Sequence, residues 1–259
     1  MNTRRILQTR DGVIATVTLS HPGKLNALDV AMWRDLALVF RELSKDTSLR
    51  CIIVQGEDGN FAAGADIAEF AEVRNSVEQG IHYHTALVGH ALEAITACIH
   101  PTIAAIEGVC VGGGLEIACA CDLRIASPKA RFGIPIKRLG FALAPSEMQG
   151  LVQLVGVATA LEILLEGRVF DAAEAQQKGL LHRIAEDVLQ QAKISAARIA
   201  EGAPLAARMN KQLARRLAPQ PAPLTPEEFA AAYALLDSKD YKEGAAAFLA
   251  NRKPDFKGE

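Results

Sequence analysis

Apolar positions along the first hundred residues change their period several times, and each change marks an element. In ILQTRDGVIATVTLS (6–20) two β-rich runs flank Asp11-Gly12, which predicts a hairpin turning there. In LDVAMWRDLALVFRELSKD (28–46) the apolar residues Met32, Leu36, Val39, Phe40 and Leu43 recur at helical spacing, with Asp29 as N-cap. Cys51-Ile-Ile-Val54 reads as a buried strand ending at Gly56. The loop GEDGNFAAGADI (56–67) leads into a short helical pattern, and a longer helical stretch runs from about Val77 to Cys98, stopped by Pro101. TIAAIEG (102–108) is the next buried strand. Strand, helix, strand, loop, helix and strand in this order predict an α/β core with crossover connections and largely parallel pairing.

VCVGGGLEIACACD (109–122) then forms a strand–glycine–helix unit, followed by a strand-like pair, LRIAS (123–127) and ARFGIP (130–135). From Ser146 onward helical patterns dominate. LAPQPAPLTPEE (217–228), with four of the eleven prolines, punctuates the last two helical stretches. Residues 1–200 read as the α/β core and 203–259 as a helical region capping that core or a neighbouring subunit. No internal repeat or low-complexity block is present in the sequence.

Composition narrows the class. The 259 residues are 50% hydrophobic, ample for a substantial core. A net charge of −2 gives no electrostatic footprint for nucleic acid or an anionic membrane, so neither is expected as a partner. The sequence has no run of about 18 apolar residues to predict a membrane span. MNTRRILQTRDG lacks the apolar region of a signal peptide. Five cysteines in apolar runs suit buried thiols in a reducing compartment, and a cytoplasmic protein is expected. Cys119 and Cys121 face different sides of a helix with no histidine at ligand spacing, so no metal site is expected.

The glycine motif carries the chemistry. It lacks the third spaced glycine of a dinucleotide fingerprint, the Gly-Lys-Ser/Thr of a phosphate loop and the serine or cysteine of a nucleophile elbow. Two readings remain. Gly112-Gly113-Gly114 permits close helix–strand packing with Glu116 as a helix N-terminal acid, or it bares backbone N–H groups toward a polarised oxygen. FAAGAD (61–66) offers a second stretch of bare backbone with small side chains. Two such donors on separate loops can hold one carbonyl oxygen and stabilise its developing charge.

FAAGADI, AAIEGVCVGGGLEIACACDLRIAS, ARFGIP and EGAAAFLANRKPDFKGE resemble the enoyl-CoA hydratase/isomerase, or crotonase, superfamily in linked order, and HPGKLNALD resembles its first CoA-contacting loop. The resemblance spans nearly the whole chain. It implies a crotonase-type spiral of ββα units with a C-terminal helical subdomain, assembled as a homotrimer or a dimer of trimers. It implies further that the Ala65 and Gly113 N–H groups form an oxyanion hole for an acyl-CoA thioester and that Glu116 is the first of two catalytic glutamates. Lys24, Ala27, Ala63, Asp66 and Ile67 then fall on the substrate-binding loops. CoA enters as part of the substrate, and no separate cofactor is expected.

The departure from the family pattern lies at the second carboxylate. Phe132-Gly-Ile-Pro-Ile136 puts isoleucine where hydratases carry the second glutamate, and Ile136 is expected to face the acyl pocket. Glu147, in the altered loop GFALAPSEMQG, is either a substitute acid or a plain first-turn helix acid, and the plain helix acid is the favoured reading. His82, His84 and His90 cluster in the helix that lines the family's acyl pocket, with a surface or packing role favoured over catalysis. Lys24 is divided evenly between contacting a CoA phosphate and being a solvated loop charge. Lys211, Arg215 and Arg216 form a basic stripe read as an ordinary wet face, with contact to CoA phosphates as the alternative. The expected activity is hydratase-type or double-bond isomerase chemistry on an acyl-CoA. The alternatives are another single-acid enolate reaction, such as decarboxylation or thioester hydrolysis, and a weakly catalytic acyl-CoA-binding protein.

Overall fold

In the computed structural model, which describes residues 5–219 and 221–259, the chain opens with strands β1 (Arg5–Asp11) and β2 (Ile14–Ser20), helix α1 (Val30–Lys45) and strand β3 (Cys51–Gly56). Short helices α2 (Phe70–Val73) and α3 (Val77–His82) precede a π-helical turn, Tyr83–Gly89, and α4 (His90–Ala97). Next come β4 (Thr102–Ile106), β5 (Val109–Val111), α5 (Gly113–Ala120), β6 (Leu123–Ala126), β7 (Arg131–Gly133) and the long α6 (Pro145–Glu166). The chain continues through β8 (Phe170–Asp171), α7 (Ala172–Gln177), β9 (Arg183–Ile184) and α8 (Val188–Glu201). It closes with α9 (Pro204–Leu217), α10 (Pro226–Ala234) and α11 (Lys239–Leu249).

One sheet has the order β1-β2-β3-β4-β6-β9, and a smaller one has the order β5-β7-β8. Among the described residues, only β1/β2 and β7/β8 pair antiparallel. The first hairpin forms, but Asp11 pairs with Ile14, so Gly12-Val13 is the turn rather than Asp11-Gly12. LRIAS and ARFGIP do not pair with each other. β6 joins the large sheet beside β4, and β7 crosses to the small sheet beside β5.

Strand alternation divides the core. Ile52, Val54, Ala104 and Ile106 join the main cluster with Met32, Trp33, Leu36 and Phe40 of α1. Cys51, Ile53, Ile103 and Ala105 face the other way, onto Val188, Ala192 and Ala196 of α8. Helix α1 starts as its sequence predicts, with Asp29 Oδ1 accepting from the Met32 N–H at 2.8 Å. The cysteines are all free, with Cys119 half-buried and the rest buried.

The stretch 77–98 is not one continuous α-helix. It is interrupted by the π-helical turn, in which Tyr83, His84, Leu87 and Val88 are buried, whereas the flanking His82 and His90 are not. Helix α6 is kinked at Gly156, whose φ is 75°. By length and composition alone it could cross a membrane, with a mean hydropathy of 1.6 over an 18-residue window, a feature that counting uninterrupted apolar runs misses.

The C-terminal helices lie on the chain's own core. Tyr233, Leu236 and Tyr241 pack with Phe141 and Ala144. On α9, Lys211 and Arg215 each contact Asp122 at 2.8 Å, and the Lys211 side chain is only 8% exposed. The basic stripe is therefore not an ordinary wet face, because two of its three cations are tied to the half-buried Asp122. Partial burial of the Asp122 carboxylate favours its pairing with both.

Candidate active site

The two glycine-bearing segments meet. Gly112 has φ 51° and ψ −125°, a conformation that L side chains rarely adopt, and it turns β5 into α5. A Cβ on Gly114 would lie 2.2 Å from the Ala62 carbonyl oxygen, so only glycine lets α5 start against the FAAGAD loop. That loop is zipped to β5, with the Ala62 N–H donating to Val109 O at 2.9 Å and the Val111 N–H to Ala62 O at 3.1 Å. Further along, Leu28 N–H donates to Gly64 O and Asp66 N–H to Leu28 O, which brackets Ala65 and leaves its own N–H out of the pairing. The Gly113 N–H sits in the first turn of α5, where no intrahelical acceptor exists. The segments abut closely, since a Cβ on Gly64 would fall 3.3 Å from the Gly113 nitrogen.

Ala65 and Gly113 both border a cavity of about 560 Å³. Glu116, from the first turn of α5, lines it and is 8% exposed. Burial raises the Glu116 pKa, the Glu147 charge raises it further, and Arg74 opposes both. Glu147 comes from the first turn of α6 and is 6% exposed in the same wall. Its Oε1 lies 2.6 Å from His84 Nδ1. Burial raises the Glu147 pKa, against the pull of Arg74. His84 is driven toward its neutral form by burial and then by Arg74. Glu147 is thus the first-turn helix acid that the sequence favoured, and it also lines the cavity, as the alternative reading had it. The start of α6 and the π-helical turn carry Glu147 and His84 inward together.

The remaining substrate-loop residues line the same cavity, Lys24, Ala27, Ala63, Asp66 and Ile67, and so does Ile136. Lys24 Nζ is 2.5 Å from Asp66 Oδ2 at the exposed rim, so this lysine is paired. Asp66 Oδ1 also accepts from the Ala68 N–H at 3.3 Å, which holds the turn that follows. His82 and His90 lie outside this cavity. His90, Glu116 and Glu147 border a second cavity of about 860 Å³ on the far side of the two carboxyls, toward Lys211 and Arg215.

Sequence reasoning missed Arg74, Tyr83 and Trp33 in the cavity wall, together with Phe248 and Leu249 from α11. A lone arginine in FAEVRNS carries no local signal, and the α11 contribution depends on how the C-terminus folds back.

Residues 9–259 match the family described as enoyl-CoA hydratase/isomerase. A protein of Mycobacterium bovis named "Probable enoyl-CoA hydratase echA8" is 36% identical over 262 residues, covering 99% of each chain. The crystal structure of an enoyl-CoA hydratase/carnithine racemase from Magnetospirillum magneticum superposes with a TM-score of 0.81 at 46% identity, covering 98% of this chain and 96% of that one. A methylmalonyl-CoA decarboxylase in complex with 2-nitronate-propionyl-CoA reaches a TM-score of 0.86 at 26% identity, covering all of both chains.

Proposed function

The chain belongs to the enoyl-CoA hydratase/isomerase family, and on that footing we propose that it hydrates the double bond of a 2-enoyl-CoA thioester with Glu116 and Glu147 as its two carboxyls. One observation carries this reading: Glu147 is buried in the cavity wall beside Glu116, although Ile136 fills the family's usual second position. The thioester oxygen accepts hydrogen bonds from the Ala65 and Gly113 N–H groups, which stabilise the charge it gains as water adds.

The carboxyl pair carries one proton. His84, neutral and donating through Nδ1, favours the ionised form of Glu147, which serves as the base. Glu147 takes a proton as the water oxygen bonds to C3, and Glu116 delivers its proton to C2 as the enolate collapses. The second cavity, on the far side of the pair, offers the water a route that the acyl chain does not block. Ile136 and Ile67 give the acyl chain an apolar wall, and Lys24 at the rim faces the CoA phosphates. CoA is supplied by the substrate, and no further cofactor takes part.

A second reading rests on Ile136 and on the decarboxylase among the structural neighbours: one carboxyl suffices for isomerisation or decarboxylation through an enolate. Incubation with crotonyl-CoA, a 3-enoyl-CoA and a malonyl-type CoA in heavy water separates the two by mass. Gain of water on crotonyl-CoA is expected. Deuterium exchange or loss of carbon dioxide without hydration would overturn the hydratase reading.

The protein assembles as a homotrimer or a dimer of trimers. Supporting this, Leu205, Met209, Leu213 and Leu217 recur every fourth residue on α9 and are 74, 51, 47 and 79% exposed, an apolar stripe left uncovered by the single chain.

A further inference from the structure

The inner end of the active-site cavity holds a cation that the hydration chemistry does not use. Arg74 lies between α2 and α3, lines the cavity and is 2% exposed. Its guanidinium carbon sits 4.4 Å from the centre of the Phe70 ring, 4.5 Å from that of Phe141 and 5.2 Å from that of Tyr241. These rings favour a cation over their faces but offer its N–H groups no acceptor. The Arg74 Nε and Nη2 are buried with no hydrogen-bond partner. Arg74 takes part in none of the described ion pairs. The Tyr241 hydroxyl bonds to the Arg74 backbone carbonyl instead.

Buried unsatisfied donors are costly, and a buried guanidinium is more so. Nε and Nη2 form one edge of the fork, with parallel N–H groups spaced for the two oxygens of a carboxylate. We propose that Arg74 recognises a carboxylate at the far end of the acyl chain, making the substrate a CoA monothioester of a dicarboxylic acid. This rests on the acyl-CoA reading of the same cavity. Engagement turns the vacant edge toward the cavity through the terminal side-chain torsions, with the aromatic rings as walls. Neither carboxyl in the cavity wall, Glu116 or Glu147, is hydrogen-bonded to the Nε–Nη2 edge of the guanidinium. Against the effect of burial, Arg74 favours the ionised form of both, while Oε1 of Glu147 is engaged by His84.

The test compares two saturated, unreactive esters, glutaryl-CoA and butyryl-CoA, by calorimetry with the wild-type protein and with Arg74→Met. Wild type is expected to bind glutaryl-CoA at least about tenfold more tightly, as a charge-assisted hydrogen-bond pair implies. In Arg74→Met that ratio falls to about one. The ratio is the readout, because a packing defect from losing Arg74 weakens both esters alike. Equal affinities in wild type, or a preference that survives in Arg74→Met, would overturn the proposal. Should Arg74→Met not fold, the wild-type ratio decides alone, and Arg74→Lys is expected to retain part of it. Because neither ester reacts, the outcome is independent of hydration. Crotonyl-CoA turnover in the same preparation tests the hydratase reading separately.

Discussion

Glu116 and Glu147 reach one cavity wall from the first turns of two different helices, and each is buried where ionisation is costly. If the two share the work of adding water, neither is dispensable. Glu116→Gln and Glu147→Gln should each lower kcat for crotonyl-CoA hydration by at least about 10², the low end for a positioned acid or base. The amide oxygen introduced by Glu147→Gln can still accept from His84 Nδ1, so folding should survive. Unchanged kinetics in Glu147→Gln would remove it from the mechanism. A second consequence concerns pH. The folded pKa of Glu147 lies above the ordinary value of 4.5, chiefly through burial. Between the unfolded and folded values the native state holds the extra proton, so stability falls as pH rises through that window. Glu147→Gln removes this penalty. Its denaturation midpoint, relative to wild type, should therefore increase from about pH 5 to about pH 9. A pH-independent difference would show that burial does not raise the Glu147 pKa.

Helix α5 and the FAAGAD loop act as one unit, because the positions of the Ala65 and Gly113 donors depend on how closely the two segments approach. Gly114→Ala places a Cβ 2.2 Å from the Ala62 carbonyl oxygen, a backbone atom that cannot swing aside. The cost should be about 1–3 kcal/mol, as for overpacking elsewhere in protein cores. Urea unfolding measures it, and kcat should drop as well, since the shift separates the two donors. Wild-type stability and rate in Gly114→Ala would mean that the contact is soft. The π-helical turn has a comparable role. It carries Tyr83 and His84 inward, where His84 meets Glu147.

The whole chain leaves a stripe of leucines and a methionine on the outer face of α9, and the kinked α6 exposes Val157, Leu161 and Leu165. A trimer that covers the α9 stripe should run at three or six times the 27.7 kDa chain mass in light scattering. Leu213→Glu puts a charge into that stripe and should shift the distribution toward monomer at low micromolar concentration. A monomeric wild-type protein, or a mutant that assembles like it, would rule this surface out as the interface.

Much of this protein was legible in its sequence because the signals are local. The apolar run TIAAI predicts a strand buried on both faces, and β4 is buried at every position. Asp29 and the spacing of Met32, Leu36 and Phe40 mark a helix, and α1 forms there. Glycines at 112–114 and 64, each at a close approach or a left-handed turn, placed the two loops that meet over the cavity. Other features were decided only when distant segments packed together. The pairing of β6 and β7 with different sheets depends on which neighbours they find, and β-propensity is blind to that. The pairing of Lys211 and Arg215 depends on Asp122, far away in the chain. Glu147 and His84 are 63 residues apart, and nothing near either in the chain announces the other. A carboxylate acquires its chemistry from the charges and solvent around it, and tertiary packing alone sets that environment.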